Sequence, residues 1–161
     1  MKHTISALVE NRPGVLARCA SLFARRGFNI DSLAVSETED AAVSRMTLTV
    51  TGDDRVLEQI CRQLEKLVDV IKVLDHTQDL TVARELCLIK VHATARSRSE
   101  ILQVAGIFRG EVVDVGNGML IIEVTGDTDK VDAFVRLMAE HGIEELVRTG
   151  KIVLVRGLQP T

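Results

Sequence analysis

The sequence predicts an α+β protein of two tandem ferredoxin-like (βαββαβ) domains, and three observations lead to that fold class. Short apolar runs of strand length alternate with stretches of helical periodicity in the order β-α-β-β-α-β. The second half of the 161 residues repeats that order. One tetrapeptide also recurs, Val50-Thr51-Gly52-Asp53 against Val124-Thr125-Gly126-Asp127, each copy leaving a strand and opening a helix.

In the first half, Ile5 to Val9 is an apolar run closed by the turn signal Asn11-Arg12-Pro13-Gly14. Val15, Leu16, Cys19, Ala20, Leu22 and Phe23 then recur at helical spacing, with Arg18, Arg25 and Arg26 on the other side. Pro13 suits the first helical position and Gly27 the residue past the end. Phe28, Ile30 and Val35 fall in a second extended segment, and Glu37 to Asp40 form a polar turn. Met46, Leu48 and Val50 alternate with threonines along a third strand, Val43 to Val50. Gly52-Asp53-Asp54 starts a helix with one apolar stripe from Val56 to Leu67, and Val68 to Leu74 is the fourth strand. Asp53 and Asp127, each just after a glycine, read as helix N-caps.

The second half is expected to place strands at Leu86–His92, Glu111–Val115 and Met119–Val124, with helices at Glu100–Phe108 and Asp129–His141. Gly116-Asn117-Gly118 is a hairpin turn. The closing strand lies within Ile143–Val155, where Glu145–Arg148 and Lys151–Val155 both qualify. The expected division is 1–76 for the first domain, 77–84 for a polar linker and 85–161 for the second.

Composition narrows the function classes. Apolar residues reach 46 %, enough for real cores, but there is no Trp, no Tyr and only 4 Phe. Stacking platforms for single-stranded nucleic acid are therefore missing. The net charge of −3 is evenly spread, with 10 basic against 11 acidic residues in 1–76 and 10 against 12 in 77–161, so no basic face for nucleic acid follows. Cys19, Cys61 and Cys87 are odd in number and widely spaced, which points to a reducing cytoplasm and free thiols. Neither a signal-peptide core nor a run long enough to cross a bilayer is present, so a cytoplasmic protein without membrane partners is expected.

The chemistry concentrates in the first half. A strand, a tight turn and a helix with an open first turn make a seat for a carboxylate, because helix N-termini carry unpaired N–H groups and a positive dipole end. Gly14 permits close approach to the backbone there, and the N–H groups of Val15 and Leu16 are the candidate donors. Asn11 and Asn29 each offer an amide to an ammonium or carboxylate, while Leu16 and Ile30 could line an aliphatic slot. The pattern describes a sensor of a small apolar amino acid. Catalytic chemistry has no comparable signal: His3, His76, His92 and His141 are scattered, and no nucleophile is paired with a base. Asp75, His76 and Asp79 read as a solvated loop in preference to a metal site.

Glu10-Asn11-Arg12-Pro13-Gly14-Val15-Leu16, Leu22-Phe23, Arg26 to Val35 and Ser44-Arg45-Met46-Thr47 together resemble the ACT-domain small subunits of acetolactate synthase. The resemblance extends over the second half through Ile107-Phe108-Arg109-Gly110, Val112-Val113-Asp114-Val115 and Asp132-Ala133-Phe134. It implies that the first domain is an ACT domain and that the chain is a non-catalytic regulatory subunit. Thiamine diphosphate, FAD and magnesium would reside on a catalytic large subunit, which this chain would activate and render sensitive to valine. It further implies a homodimer with the effector, valine or another branched-chain amino acid, at the interface. Asn11, Gly14, Val15 and Leu16 would come from one protomer and Asn29 and Ile30 from its partner.

Three rivals follow from the same residues. A free-standing ACT sensor controlling another enzyme or a transcription factor shares the site but not the partner. A small ferredoxin-like enzyme requires an acid/base cluster, and a metal-responsive regulator requires clustered His and Cys.

Overall fold

A computed structural model describes the whole of Met1–Thr161. The chain divides into two compact units, Met1–Val82 with Lys151–Thr161, and Ala83–Gly150.

In the first unit, β1 (Lys2–Glu10), α1 (Val15–Arg26), β2 (Ser32–Glu37), β3 (Val43–Thr51), α2 (Asp54–Glu65) and β4 (Val70–Asp75) follow the expected order. The strands form an antiparallel sheet ordered β2-β3-β1-β4. Strand alternation sends Ile5, Ala7 and Val9 of β1 and Met46, Leu48 and Val50 of β3 to one face. There they meet Val15, Cys19, Leu22 and Phe23 of α1 and Leu57, Ile60 and Leu64 of α2. Helix α2 begins as expected, with the Asp53 carboxylate accepting from the Val56 N–H at 2.9 Å.

Three local readings need correction. Pro13 lies in the turn before α1 and is not its first residue, since the helix starts at Val15 with Gly14 as a left-handed N-cap. Phe28 and Ile30 precede β2. Gly27 ends α1 at φ 69°, and the Phe28 N–H turns back to the Phe23 carbonyl, so strand geometry resumes only at Ser32. The region 77–84 is only partly a linker, because Thr81 already begins β5 (Thr81–His92). Ahead of it, His76 and the Asp75 and Asp79 carboxylates make a hydrogen-bonded turn, with His76 Nδ1 2.9 Å from Asp79 and the Thr77 N–H 2.9 Å from Asp75.

The second unit continues with α3 (Arg98–Ile107), β6 (Glu111–Gly116), β7 (Met119–Gly126), α4 (Thr128–Ala139) and β8 (Ile143–Arg148). Its sheet is ordered β6-β7-β5-β8, the same arrangement as in the first unit. Ile89, Val91, Ile122 and Val124 meet Ile101 of α3 and Val131, Phe134 and Met138 of α4. Phe108 and Phe134 pack at 5.4 Å between ring centroids, tilted by 55°. Asp127 caps α4 through the Lys130 N–H at 2.9 Å, matching Asp53.

Both candidates for the closing strand exist and do different work. Strand β8 completes the second unit, whereas β9 (Ile152–Val155) pairs with β5, the Arg156 N–H reaching the Leu80 carbonyl at 2.8 Å. Just before β9, the Lys151 ammonium donates to Thr4 at 2.7 Å and its backbone N–H to the Ser32 hydroxyl at 3.2 Å. The C-terminal segment, read as part of 85–161, thus belongs to the first unit.

Candidate functional site

The turn between β1 and α1 is shaped by glycine. Gly14 has φ 85°, a left-handed conformation that costs other residues about 1–2 kcal/mol, and it caps α1 without a side-chain hydrogen bond. No acidic side chain occupies the first turn of α1. The helix start is left open, as the sequence suggests. Leu16 is 46 % exposed, Asn11 and Gly14 are exposed, and Val15 is buried in the core. Val15 serves the fold with its side chain, while its N–H makes a long 3.5 Å contact to the Arg12 carbonyl.

Asn11 ties this turn to the β2–β3 hairpin. Its side-chain amide donates to the Ala41 carbonyl at 2.9 Å and its backbone N–H to the Ala42 carbonyl at 2.8 Å. Asn29 has a local partner too, donating to the Asp31 carboxylate at 2.8 Å. Asp31 is itself pinned by the Thr51 hydroxyl at 2.6 Å and donates its N–H to the Thr49 carbonyl at 2.9 Å. Ile30 is half-buried against the core.

The six residues form two groups, at opposite ends of the sheet. In register, Ser32 of β2 is level with Thr49 of β3 and so with Thr4 of β1, whereas Glu37 is level with Ser44 and so with Val9. Asn29 and Ile30, just before β2, therefore lie at the β1 start, while Asn11–Leu16 follow the β1 end. At about 3.4 Å per residue the Thr4 and Val9 levels are roughly 17 Å apart along the strands. One copy of the chain does not bring both groups onto one small ligand.

An ion-pair network beside the turn is the main feature missed by periodicity. Arg18, on the side of α1 opposite the apolar stripe, reaches Asp69 with Nε and Nη2, each 2.7 Å from Oδ2. Arg12 binds Asp69 Oδ1 at 3.2 Å and also pairs with Glu10. Asp69 is 5 % exposed and ends the loop before β4, and its carbonyl accepts the Glu10 N–H at 2.9 Å. The only sequence signal was an acidic residue inside an apolar stretch, Leu67-Val68-Asp69-Val70. Arg25 and Arg26 sit in the last turn of α1, where a cation complements the helix dipole. A shallow depression lined by Leu22, Arg25, Arg26, Gln63, Lys66 and Leu67 lies at that end, away from the Asn11–Leu16 turn.

The three cysteines are free. Burial pushes the Cys61 and Cys87 thiols up to about 11 and raises that of Cys19, so all three are protonated near neutral pH. No group of three or more His, Cys, Asp or Glu side chains is arranged to hold a metal ion, and no helix is long and apolar enough to cross a membrane.

Comparison with known proteins agrees with this architecture. Residues 5–72 match the model of the AHAS small subunit-like ACT domain, and residues 84–157 match that of the small subunit of acetolactate synthase. A probable acetolactate synthase small subunit of Archaeoglobus fulgidus is 59 % identical over 157 residues, 98 % of each chain. The acetolactate synthase small subunit of Mycolicibacterium smegmatis is 50 % identical over 155 residues, covering 96 % of this chain and 91 % of that one. The crystal structure of the Thermotoga maritima acetolactate synthase small subunit is 44 % identical and superposes with a TM-score of 0.88, covering 98 % of both chains. Two ferredoxin-like units, an ACT domain in the first of them and these relatives along the full length together place the chain in the acetolactate synthase small-subunit family.

Proposed function

We propose that this chain is a regulatory subunit that binds valine between two copies of itself and transmits the binding to an acetolactate synthase large subunit. The observation that carries the reading is the placement of the two residue groups at opposite ends of a sheet whose edge, β2, pairs only with β3. An antiparallel pairing of two β2 edges about a two-fold axis reverses one strand against the other. Asn29 and Ile30 of the second copy then come to the end that carries Asn11, Gly14 and Leu16 of the first. Such a site has the open helix start for a carboxylate, amide groups for the polar atoms and Leu16 with Ile30 for a branched side chain.

The large subunit supplies the catalytic chemistry in this reading, and the small subunit raises its activity. Inhibition then follows from linkage: valine favours one arrangement of the dimer, and the large subunit is most active with the other. One methylene in an aliphatic slot is worth about 1–3 kcal/mol, so selectivity for valine over leucine is moderate.

Calorimetric titration with valine tests the reading. Saturable binding is expected for the unmodified chain, with loss in Gly14→Asp and at least about tenfold weakening in Asn29→Ala. Unchanged affinity in a folded Asn29→Ala variant contradicts the shared site. A reconstituted large subunit with undiminished activity at saturating valine contradicts the feedback role.

A further inference from the structure

The most informative feature outside the six candidate effector residues is the guanidinium of Arg18. It lies four residues after Gly14, on the same helix face, and side chains on a helix lean toward its N-terminus. That lean carries Arg18 back over the Gly14 turn. A Cβ added to Gly14 would sit 3.0 Å from Arg18 Nη1 and 3.8 Å from its central carbon. The head group is also oriented. Nε and Nη2 are both committed to Asp69 Oδ2, and Asp69 is buried and held from its other side by Arg12. Nη1 takes no part in that ion pair and is the edge turned to Gly14.

We propose that Arg18 joins the open helix start in receiving the effector's carboxylate, with Asp69 as the residue that positions it. The inference rests on the reading of an amino-acid effector at this turn and adds to it a ligand from outside the Asn-Gly motif. Arg12, Arg18, Glu10 and Asp69 carry two positive and two negative charges. The attraction for a carboxylate therefore comes from directed N–H donors and not from net charge. An arginine already fixed by a buried carboxylate loses little freedom when it donates again, which favours a preorganised, charge-assisted bond. The same geometry gives Gly14 a second reason to be glycine. An aspartate there would offer Arg18 an internal carboxylate in place of the ligand's.

The test is a cycle between protein and ligand, using valine and valinamide, which differ in the carboxylate alone. Calorimetry on the full chain is expected to show valine bound at least about tenfold more tightly than valinamide. In Arg18→Gln that preference collapses toward one, through lost valine affinity at nearly constant valinamide affinity. Arg18→Lys, which keeps a cation beside Asp69, retains part of it. Asp69→Asn narrows the preference as well, whereas a purely structural role would weaken both ligands equally. Thermal unfolding of each variant identifies folded protein.

A folded Arg18→Gln that keeps the preference of the unmodified chain overturns the proposal. So does an unmodified chain that binds valine and valinamide equally, which leaves the effector reading standing. An unmodified chain that binds no branched-chain amino acid removes the effector reading itself, and this inference with it.

Discussion

The two units share one strand order but treat their first helix differently. In the first unit, α1 starts on a left-handed glycine with no side-chain cap. In the second, the turn before α3 is closed by its own hydroxyls. The Thr94 N–H donates to the Ser97 hydroxyl at 2.9 Å and the Ser97 N–H to the Thr94 hydroxyl at 3.1 Å, a reciprocal arrangement like a capping box. Their ion pairs differ in the same sense. Asp69 holds Arg12 and Arg18 beside the open turn, whereas Arg148 at the end of β8 clamps the buried Glu85 of β5 and reaches Asp132 of α4 at 2.6 Å. Glu85 and Asp132 together push the Arg148 guanidinium above its ordinary range, so it is charged at every accessible pH. The same strand order thus leaves the helix start open in the first unit and closed in the second, and local residues make the difference.

The largest expected effect breaks the structural half of that contrast. Arg148→Met leaves Glu85 buried without its cation and should cost about 3–5 kcal/mol of stability, read as a lowered denaturation midpoint. A loss below about 1 kcal/mol would mean that Glu85 finds water and that the clamp is decorative. The functional half breaks with Gly14→Asp, for which valine affinity should fall by about 100-fold or more with a much smaller change in melting temperature. Thr94→Ala, aimed at the corresponding turn of the second unit, should cost about 1 kcal/mol of stability and leave valine affinity unchanged. A Thr94→Ala variant with weakened valine binding would erase the distinction between the two turns.

An effect confined to alkaline pH concerns the thiols. Cys61 and Cys87 keep their protons in the folded state up to about pH 11, while the unfolded chain releases them near the ordinary value of 9.0. The folded state therefore holds more protons between these values, and stability declines as pH rises from about 9 to about 11. Replacing both by Ala should flatten that part of the profile, measured by urea midpoints at pH 8 and pH 10.

Much of the fold was legible because each element carries its own periodic signal. Both Gly-Asp helix starts, the β6–β7 hairpin and the alternation of Met46, Leu48 and Val50 are local patterns, and all lie where the chain suggests. Strand β9 was ambiguous because Ile152–Val155 is an ordinary apolar run whose partner lies about 70 residues earlier. Helical spacing places Arg18 opposite the apolar stripe and names no partner for it, because it reports only which face of α1 meets the core. The carboxylate that claims Arg18 arrives from the loop before β4. Among the candidate site residues, Asn11 and Gly14 are placed by their own turn, while the separation of Asn29 from them appears only once the register of β1, β2 and β3 is known.

The most direct measurement mixes two defective proteins. In the proposed homodimer, Gly14→Asp and Asn29→Ala would each impair both sites, but a mixed dimer would have one site in which Gly14 of the second chain faces Asn29 of the first. Unfolding and refolding the two together should restore valine binding, at one site per mixed dimer and with the affinity of the unmodified chain. A mixture that demonstrably forms mixed dimers yet shows no site with the affinity of the unmodified chain would contradict the two-copy site.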